Sequence, residues 1–176
     1  MNLIVKLLGA STLLAASAMG AQAIAGDGPS DAEIAHIAYT AGQIDIDAAK
    51  QALAKSTDAD VRSFAEMMAR DHKAVNDKAL ALVTKLGVTP ADNGTSQALS
   101  RQAAATHDRL NRLDGHAFDR AYLQNEVAYH QTVNGALKTA LIPSADNAEL
   151  KTLLETGLEL FGEHQVHAEQ LAKQVK

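Results

Sequence analysis

Glu126 and His130 lie four positions apart in the stretch AYLQNEVAYHQTV, residues 121–133. In an α-helix this spacing places a carboxylate and an imidazole one turn apart on the same side. The apolar stripe of that helix carries Tyr122 and Val133 and contains Glu126, with His130 nearer its margin. A buried carboxylate is costly unless it is paired or bound to a cation. The pattern therefore predicts a partner for Glu126 inside the protein.

Three further helical segments each place a metal-type ligand beside apolar residues. With 100° per residue, Asp45 falls at the edge of one apolar stripe, while His72 and His164 fall inside two others. Each lies near the middle of its predicted helix, so antiparallel helices would bring them to similar heights. Imidazoles and carboxylates that converge in this way suit a first-row transition metal. The predicted ligands are Asp45, His72, Glu126, His130 and His164, with Asp71 and His167 as extra ligands or as hydrogen-bond partners of the ligands.

The same pattern also has a metal-free interpretation. A histidine on an apolar face is most often a core residue, and Asp–His or Glu–His hydrogen bonds between helices satisfy such groups without an ion. The protein would then be a helical interaction or envelope-stress module whose histidines form a polar core layer or a pH sensor. A third hypothesis is a metal-dependent oxidase, which requires an open coordination position. No nucleophile elbow, phosphate loop or cysteine nucleophile occurs, so no catalytic residue is assigned and a non-enzymatic role is favoured.

Helix start and stop signals define the elements that must hold these residues. Ser30 and Glu33 form a capping-box pattern, and a second box-like start begins at Thr57. Gly87 ends the second helix, and Pro143 ends the fourth. The predicted helices cover about residues 30–55, 57–86, 95–113, 117–141 and 146–175, and no segment has the alternation of a strand.

Four long helices with short connections predict an all-α fold, an antiparallel four-helix bundle. The shorter helix at about residues 95–113 is an extra element in the crossover between the second and fourth helices. Residues 64–76 and 122–134 share His, Val and Asn, with an aromatic residue eight positions before each His. This echo suggests a duplicated helical hairpin.

The N-terminus predicts export. Residues 1–25 have one early positive charge, an apolar run and small residues suited to signal-peptidase cleavage near Ala23 or Ala25. The apolar run is short and interrupted, which favours a cleaved signal peptide over a retained anchor. The mature chain would be one domain, residues 30–175, with no integral membrane span after cleavage. It would be periplasmic or secreted, and association with the outer membrane stays open.

Composition limits the partners. The formal net charge of −5 becomes −6 without Lys6, which argues against nucleic acid or anionic lipid. The absence of cysteine excludes disulfides, a lipoprotein anchor and thiolate metal sites. Besides the metal ion, the sequence leaves a homodimer open as an interaction.

Four segments resemble a family of exported bacterial proteins with a ferritin-like bundle, catalogued as a domain of unknown function and sometimes labelled outer-membrane proteins. They are AGQIDIDAAKQAL, VRSFAEMMARDHKAVN, AFDRAYLQNEVAYHQTV and ELFGEHQVHAEQL, within residues 30–171. The resemblance implies a ferritin-like fold and site residues at Asp45, where glutamate is commoner, and at His72, His130 and His164. The chain lacks the paired Glu-x-x-His motifs of ferritins, so one metal ion or an uneven pair is expected. Zinc, iron, copper and manganese all suit such ligands. The function expected is metal handling or stress protection.

Overall fold

The computed structural model describes residues 28–175, and within this range the chain is helical and contains no strand. The predicted signal peptide, residues 1–25, lies outside the described residues. Six α-helices follow one another, and a π-helical turn, Leu137–Leu141, joins the fourth to the fifth. They are α1 (Asp31–Lys55), α2 (Ala59–Leu86), α3 (Gly94–Asn111), α4 (Gly115–Ala136), α5 (Ile142–Ser144) and α6 (Ala148–Gln174). The all-α prediction is confirmed for this part of the chain.

Side chains cap the helices close to where the sequence places them. The Ser30 N–H donates to Glu33 Oε2 at 3.0 Å, which completes the predicted capping box of α1. The cap of α2 is Asp58 rather than Thr57, and that of α6 is Asn147 rather than Asp146. Gly87 ends α2 with φ of 65°, a conformation that costs glycine little.

The end of α4 differs from the prediction. Pro143 was expected to stop the helix, yet the helical path continues through the π-helical turn and α5 to Ser144. In a regular α-helix, the proline ring would crowd the carbonyl of residue 139 and its nitrogen would donate nothing. Instead, the chain reaches Pro143 through a wider π-helical turn, and proline is a common site of departures from regular helix.

In each long helix that carries a predicted ligand, buried apolar residues occur both before and after that ligand along the helix. α1 packs against α2, α3 and α4, and α6 packs against α2 and α4. One hydrophobic cluster includes Phe64, Phe118 and Tyr122, and the other includes Ile34 and Phe161. The predicted ligands lie between these clusters along α1, α2, α4 and α6, so the interior has a polar layer between two apolar ones. None of the described helices is long and apolar enough to cross a membrane.

Candidate metal centre

The five predicted ligands lie together in this polar layer. All are almost fully buried: Asp45, His72, Glu126, His130 and His164 are 0–3% exposed. Donor atoms of His72, His130 and His164 lie within 4.8 Å of one another, and so do donor atoms of Asp45, Glu126 and His130. The two groups share His130. Four helices therefore deliver three imidazoles and two carboxylates to one buried region.

A backbone hydrogen bond orients the His130 ring. Its Nδ1 lies 2.9 Å from the carbonyl oxygen of Glu126 in the preceding turn. Since a carbonyl only accepts, Nδ1 carries the proton and Nε2 keeps its lone pair. The His130 Nε2 has no hydrogen-bond partner within the protein and lies 3.4 Å from Asp45 Oδ2. This nitrogen is therefore available as a metal ligand.

His164 is oriented by a carboxylate instead. Its Nε2 donates to Asp71 Oδ2 at 3.2 Å, and Asp71 in turn accepts from Arg70 Nε at 2.8 Å. The opposite nitrogen, His164 Nδ1, is buried without a partner. A carboxylate that holds the outer nitrogen of an imidazole is the usual support of a metal-binding histidine. Asp71 thus takes the supporting role that the sequence left open beside that of a ligand.

The His72 ring is held by packing. It stacks on Phe161 with centroids 4.5 Å apart and planes at 8°. Its Nε2 lies 3.0 Å from Asp45 Oδ2, within the distance of an ion pair, yet the angle does not make a hydrogen bond and both ring nitrogens stay without a partner. The two groups are therefore close but not paired in the way a hydrogen bond would require.

Burial and neighbouring charges shift the pKa values of the Asp45 and Glu126 carboxyl groups in opposite directions. Burial disfavours ionisation of Asp45, but attraction to His72 and His130 outweighs it and holds the pKa of Asp45 below its usual range. Burial raises the pKa of Glu126 well above its usual value, and the Asp45 carboxylate raises it further. In the absence of a cation, Asp45 carries the charge and Glu126 keeps its proton.

Burial acts in the opposite direction on the imidazoles. It lowers the pKa of His164 to about 4, with His72 adding to the effect. It also lowers the pKa of His130, although the Asp45 charge opposes this shift. Both rings are therefore neutral at neutral pH, which is the form that binds metals.

The distances fit a transition-metal ion. Metal–nitrogen bonds of about 2.1 Å in a tetrahedral site separate the donor atoms by about 3.4 Å. The separation of His130 Nε2 and Asp45 Oδ2 already has that value, 3.4 Å. The donor atoms within each of the two groups of three residues lie within 4.8 Å of one another. The donor set of imidazoles and carboxylates suits zinc, iron, copper(II) and manganese alike.

His167, named with Asp71 as an extra ligand, lies outside the cluster. It is half-buried, and its ring packs edge-on against Phe64 with centroids 5.3 Å apart. Among the other histidines, His107 and His116 are exposed, whereas His36 is half-buried and its Nδ1 lies 3.9 Å from Asp92 Oδ1. These histidines do not take part in the donor groups of the described residues.

The pattern of the sequence did not mark two polar groups that the structure buries. Tyr122 was counted only as an apolar residue, but its hydroxyl is buried without a partner. Burial, followed by the neighbouring carboxyl groups of Glu126 and Asp45, raises the pKa of Tyr122 well above the usual value. The four-residue spacing between Tyr122 and Glu126 was the available signal. Asp119 is also buried, 2% exposed, and no apolar pattern marked it.

Together, the fold and this layer define an all-helical domain with a buried cluster of histidines and carboxylates. Residues 14–171 match the family described as a domain of unknown function, DUF4142. The chain belongs to this family. No curated protein matches the sequence.

The fold is similar to a crystal structure of a DUF305 protein from Streptomyces coelicolor, described as predicted to be secreted. The TM-score is 0.68 and the sequence identity 14%, over 81% of this chain and 91% of that chain. At this identity the likeness shows a shared fold. It carries no function from one protein to the other.

Proposed function

We propose that this protein binds one transition-metal ion in its core through Asp45, His72, Glu126, His130 and His164. The role would be metal handling or stress protection rather than rapid turnover. The observation that carries the proposal is the set of buried donor atoms without hydrogen-bond partners. It includes Asp45 Oδ1 and Oδ2, His72 Nδ1 and Nε2, Glu126 Oε2, His130 Nε2 and His164 Nδ1.

Buried polar atoms in folded proteins almost always have partners. Seven of the atoms without partners belong to the five candidate ligands on four helices, and others belong to residues outside these donor groups, such as Gln51 and Asn134. One cation would accept lone pairs from several of the seven at once, whereas the protons carried by Glu126 and by the His72 ring can be donated to Asp45 but leave the remaining imidazole nitrogens without a donor. The ring nitrogens turned away from the centre, in His130 and His164, are the ones that already donate.

A metal-free polar core is the second candidate, and one contact favours it. His164 and Asp71 form a hydrogen bond that needs no ion. In this alternative, His72 and Asp45, 3.0 Å apart, would rotate slightly into a hydrogen bond. The layer would then fix the pairing of the helices, a role that buried polar networks have in other proteins.

We further propose that the long helices form a ferritin-like four-helix bundle and that the protein is exported. The packing of α1 on α2 and of α4 on α6, with α3 in the crossover, supports the bundle. The signal-peptide pattern of residues 1–25 supports export, and so does the fold shared with a DUF305 protein that is itself described as predicted to be secreted. The mass of the protein recovered from the periplasm tests export, because cleavage would leave a chain that starts after Ala23 or Ala25.

Equilibrium dialysis of chelator-treated protein against zinc, iron(II), copper(II) and manganese tests metal binding. We expect one tightly bound ion per chain for at least one of these metals. The His72→Ala, His130→Ala double variant should lose that ion. The matched control is the His107→Ala, His116→Ala double variant, which removes two exposed histidines and should bind as the wild type does. Equal uptake by both double variants would support the metal-free core.

A further inference from the structure

The polar layer is closed to solvent in this structure. The five candidate ligands are 0–3% exposed, and each has at least one fully buried side-chain nitrogen or oxygen without a partner. A water molecule or an ion therefore reaches these atoms only when a side chain of the surrounding wall moves. The entrance is expected where such a movement costs the least free energy.

A wide groove lies on the surface outside the layer, between α1, α3 and α4. Its volume is about 930 Å³, which is large enough for many water molecules. Side chains that line it, such as Asp47, Ser100 and Thr132, are exposed. The buried residues of α3 are Ser96 and Leu110, near its two ends, so the middle of α3 leaves the groove open to solvent.

A smaller cavity of about 290 Å³ lies inside the helices, and its lining includes Asp45, His72 and His130. Leu99, Tyr129 and Thr132 line both the groove and this cavity, so they form the wall between the two. The Tyr129 ring lies edge-on to the His130 ring, with centroids 6.2 Å apart. Tyr129 therefore stands between the groove and a candidate ligand.

One hydrogen bond holds the Tyr129 side chain in this position. Its hydroxyl donates to the carbonyl oxygen of Ala41 in α1, at 2.8 Å. Ala41 lies one helical turn before Asp45, so the bond joins α4 to α1 beside the polar layer. Burial, followed by the neighbouring carboxyl groups of Asp45 and Glu126, raises the pKa of Tyr129 well above its usual value. The hydroxyl therefore keeps the proton that it donates.

Breaking this hydrogen bond leaves no buried backbone group without a partner. The Ala41 carbonyl also accepts the backbone N–H of Asp45, as every carbonyl inside an α-helix does four residues on. The freed Tyr129 hydroxyl would bond to water, and the ring has the open groove to turn into. Since one hydrogen bond contributes little net stability, the turned-out position of the ring is thermally accessible.

We propose that Tyr129 is a gate between the groove and the polar layer. With its hydroxyl on the Ala41 carbonyl it closes the layer, and with its ring turned into the groove it admits water and small cations to Asp45 and His130. As the entry route of a metal ion, this inference rests on the function proposed above. The gate itself needs no ion and is measurable in metal-free protein.

Deuterium exchange at the carbon between the two ring nitrogens of each histidine reports how readily water reaches that ring. Mass spectrometry of peptides from purified, chelator-treated protein measures it for each histidine, and a pH series separates the exchange rate from the pKa. Tyr129→Phe removes the hydroxyl alone and should raise the exchange rate of His130 about two- to tenfold, the factor that the loss of one hydrogen bond gives. Tyr129→Ala removes the ring as well and should raise the rate further.

Two controls separate the gate from a general loosening of the fold. Tyr39→Phe changes a half-buried tyrosine that lines the same groove but not the inner cavity, so its exchange should match that of the wild type. His164 is buried in the polar layer but lines neither the groove nor the cavity, so its exchange should stay unchanged in the Tyr129 variants.

Three results would overturn the gate: unchanged exchange at His130 in the Tyr129 variants, an equal rise at His164, or the same rise at His130 in Tyr39→Phe. Tyr129→Phe keeps the ring and decides the question if Tyr129→Ala does not fold. For a metal that binds, Tyr129→Phe should raise the association and dissociation rates by similar factors and leave Kd near that of the wild type. A failure of metal uptake in every protein would contradict the proposed function and leave the exchange result unchanged.

Discussion

His130 belongs to both groups of donor atoms in the polar layer. Its Nδ1 is held by the carbonyl of Glu126 in its own helix, so the direction of Nε2 follows from the helix geometry alone. His164 depends on another helix, since Asp71 of α2 holds its outer nitrogen. The His130 ring is thus oriented by a contact within its own helix, whereas the His164 ring is oriented by a contact with another helix.

Metal binding should release a proton from Glu126. Burial and the Asp45 charge raise the pKa of Glu126, so it must lose a proton before it can coordinate a cation. The lowered pKa values of His130 and His164 mean that these rings contribute little to the release at neutral pH. Titrating metal into protein in buffers of different ionisation enthalpy counts the protons. Glu126→Gln should release fewer protons per ion than the wild type, and an equal count would contradict this role.

The same residues give the metal-free protein a specific pH dependence. The pKa of His164 is about 4 when folded and near 6.5 when unfolded, so its contribution to stability falls as the pH drops from about 6.5 to about 4. The raised pKa of Glu126 has the opposite effect on stability. Above pH 4.5 the folded state binds more protons than the unfolded state, so the contribution of Glu126 to stability falls as the pH rises.

Urea unfolding of metal-free protein between pH 4.5 and 6.5 separates the two contributions. In Glu126→Gln only the histidine contribution remains, so its free energy of unfolding should rise more steeply with pH than that of the wild type. Parallel curves for the two proteins would show that Glu126 does not titrate as its surroundings require.

At the scale of the elements, a close approach fixes α1 against α2. The Asn76 amide of α2 donates to the carbonyl of Tyr39, at 3.3 Å, and lies directly over Gly42. A Cβ at Gly42 would come within 2.3 Å of Asn76 Oδ1. The glycine is therefore required by the neighbouring helix, since its own backbone is ordinary helix.

Gly42→Ala should lower the free energy of unfolding by about 1–3 kcal/mol, because the amide must move and the Tyr39 carbonyl loses its donor. Gly135→Ala, in α4, is the matched control, since a Cβ there meets nothing within 4 Å. It should be neutral or stabilising by about 0.5–1 kcal/mol. Chemical denaturation of both variants measures these changes. Equal changes in the free energy of unfolding would contradict the close packing of Asn76 on Gly42.

Local rules predicted the helices well, and periodicity identified five polar residues that are buried in the structure. The burial of α1 departs from a simple stripe with a 3.6-residue period, because Ile44 and Ala48 are half-buried whereas Ile46 and Ala49 are buried. α3 packs against one flank of α1, and this tertiary contact is not encoded in the 3.6-residue period. The π-helical turn and the Tyr122 hydroxyl were missed for similar reasons, as each depends on neighbours distant in sequence.

At the scale of the whole molecule, the two similar segments, residues 64–76 and 122–134, also have similar positions in the structure. Phe64 and Tyr122, the aromatic residues of the two segments, have ring centroids 6.2 Å apart, and His72 and His130 have centroids 5.6 Å apart. Asn76 and Asn134 each donate to a backbone carbonyl of an adjacent helix. Equivalent positions of the two halves thus meet in the centre, which favours a duplicated hairpin.

Metal binding should stabilise the whole fold, since the unfolded chain lacks the assembled site. A free metal concentration of 100 times Kd adds about 2.7 kcal/mol. For a chain of this size, that corresponds to a rise in Tm of about 5–10 °C. Calorimetric melting curves with and without metal measure the rise. The His107→Ala, His116→Ala variant should show it in full, and the His72→Ala, His130→Ala variant should not.

Anomalous diffraction from crystals of the metal-loaded protein, recorded at the absorption edge of the bound metal, tests the central claim most directly. We predict one strong peak within about 2.0–2.2 Å of the His130 Nε2 and His164 Nδ1 atoms, with His72, Asp45 and Glu126 completing the shell. A loaded crystal without a peak in the polar layer, or with peaks only at exposed histidines such as His107 and His116, would contradict it.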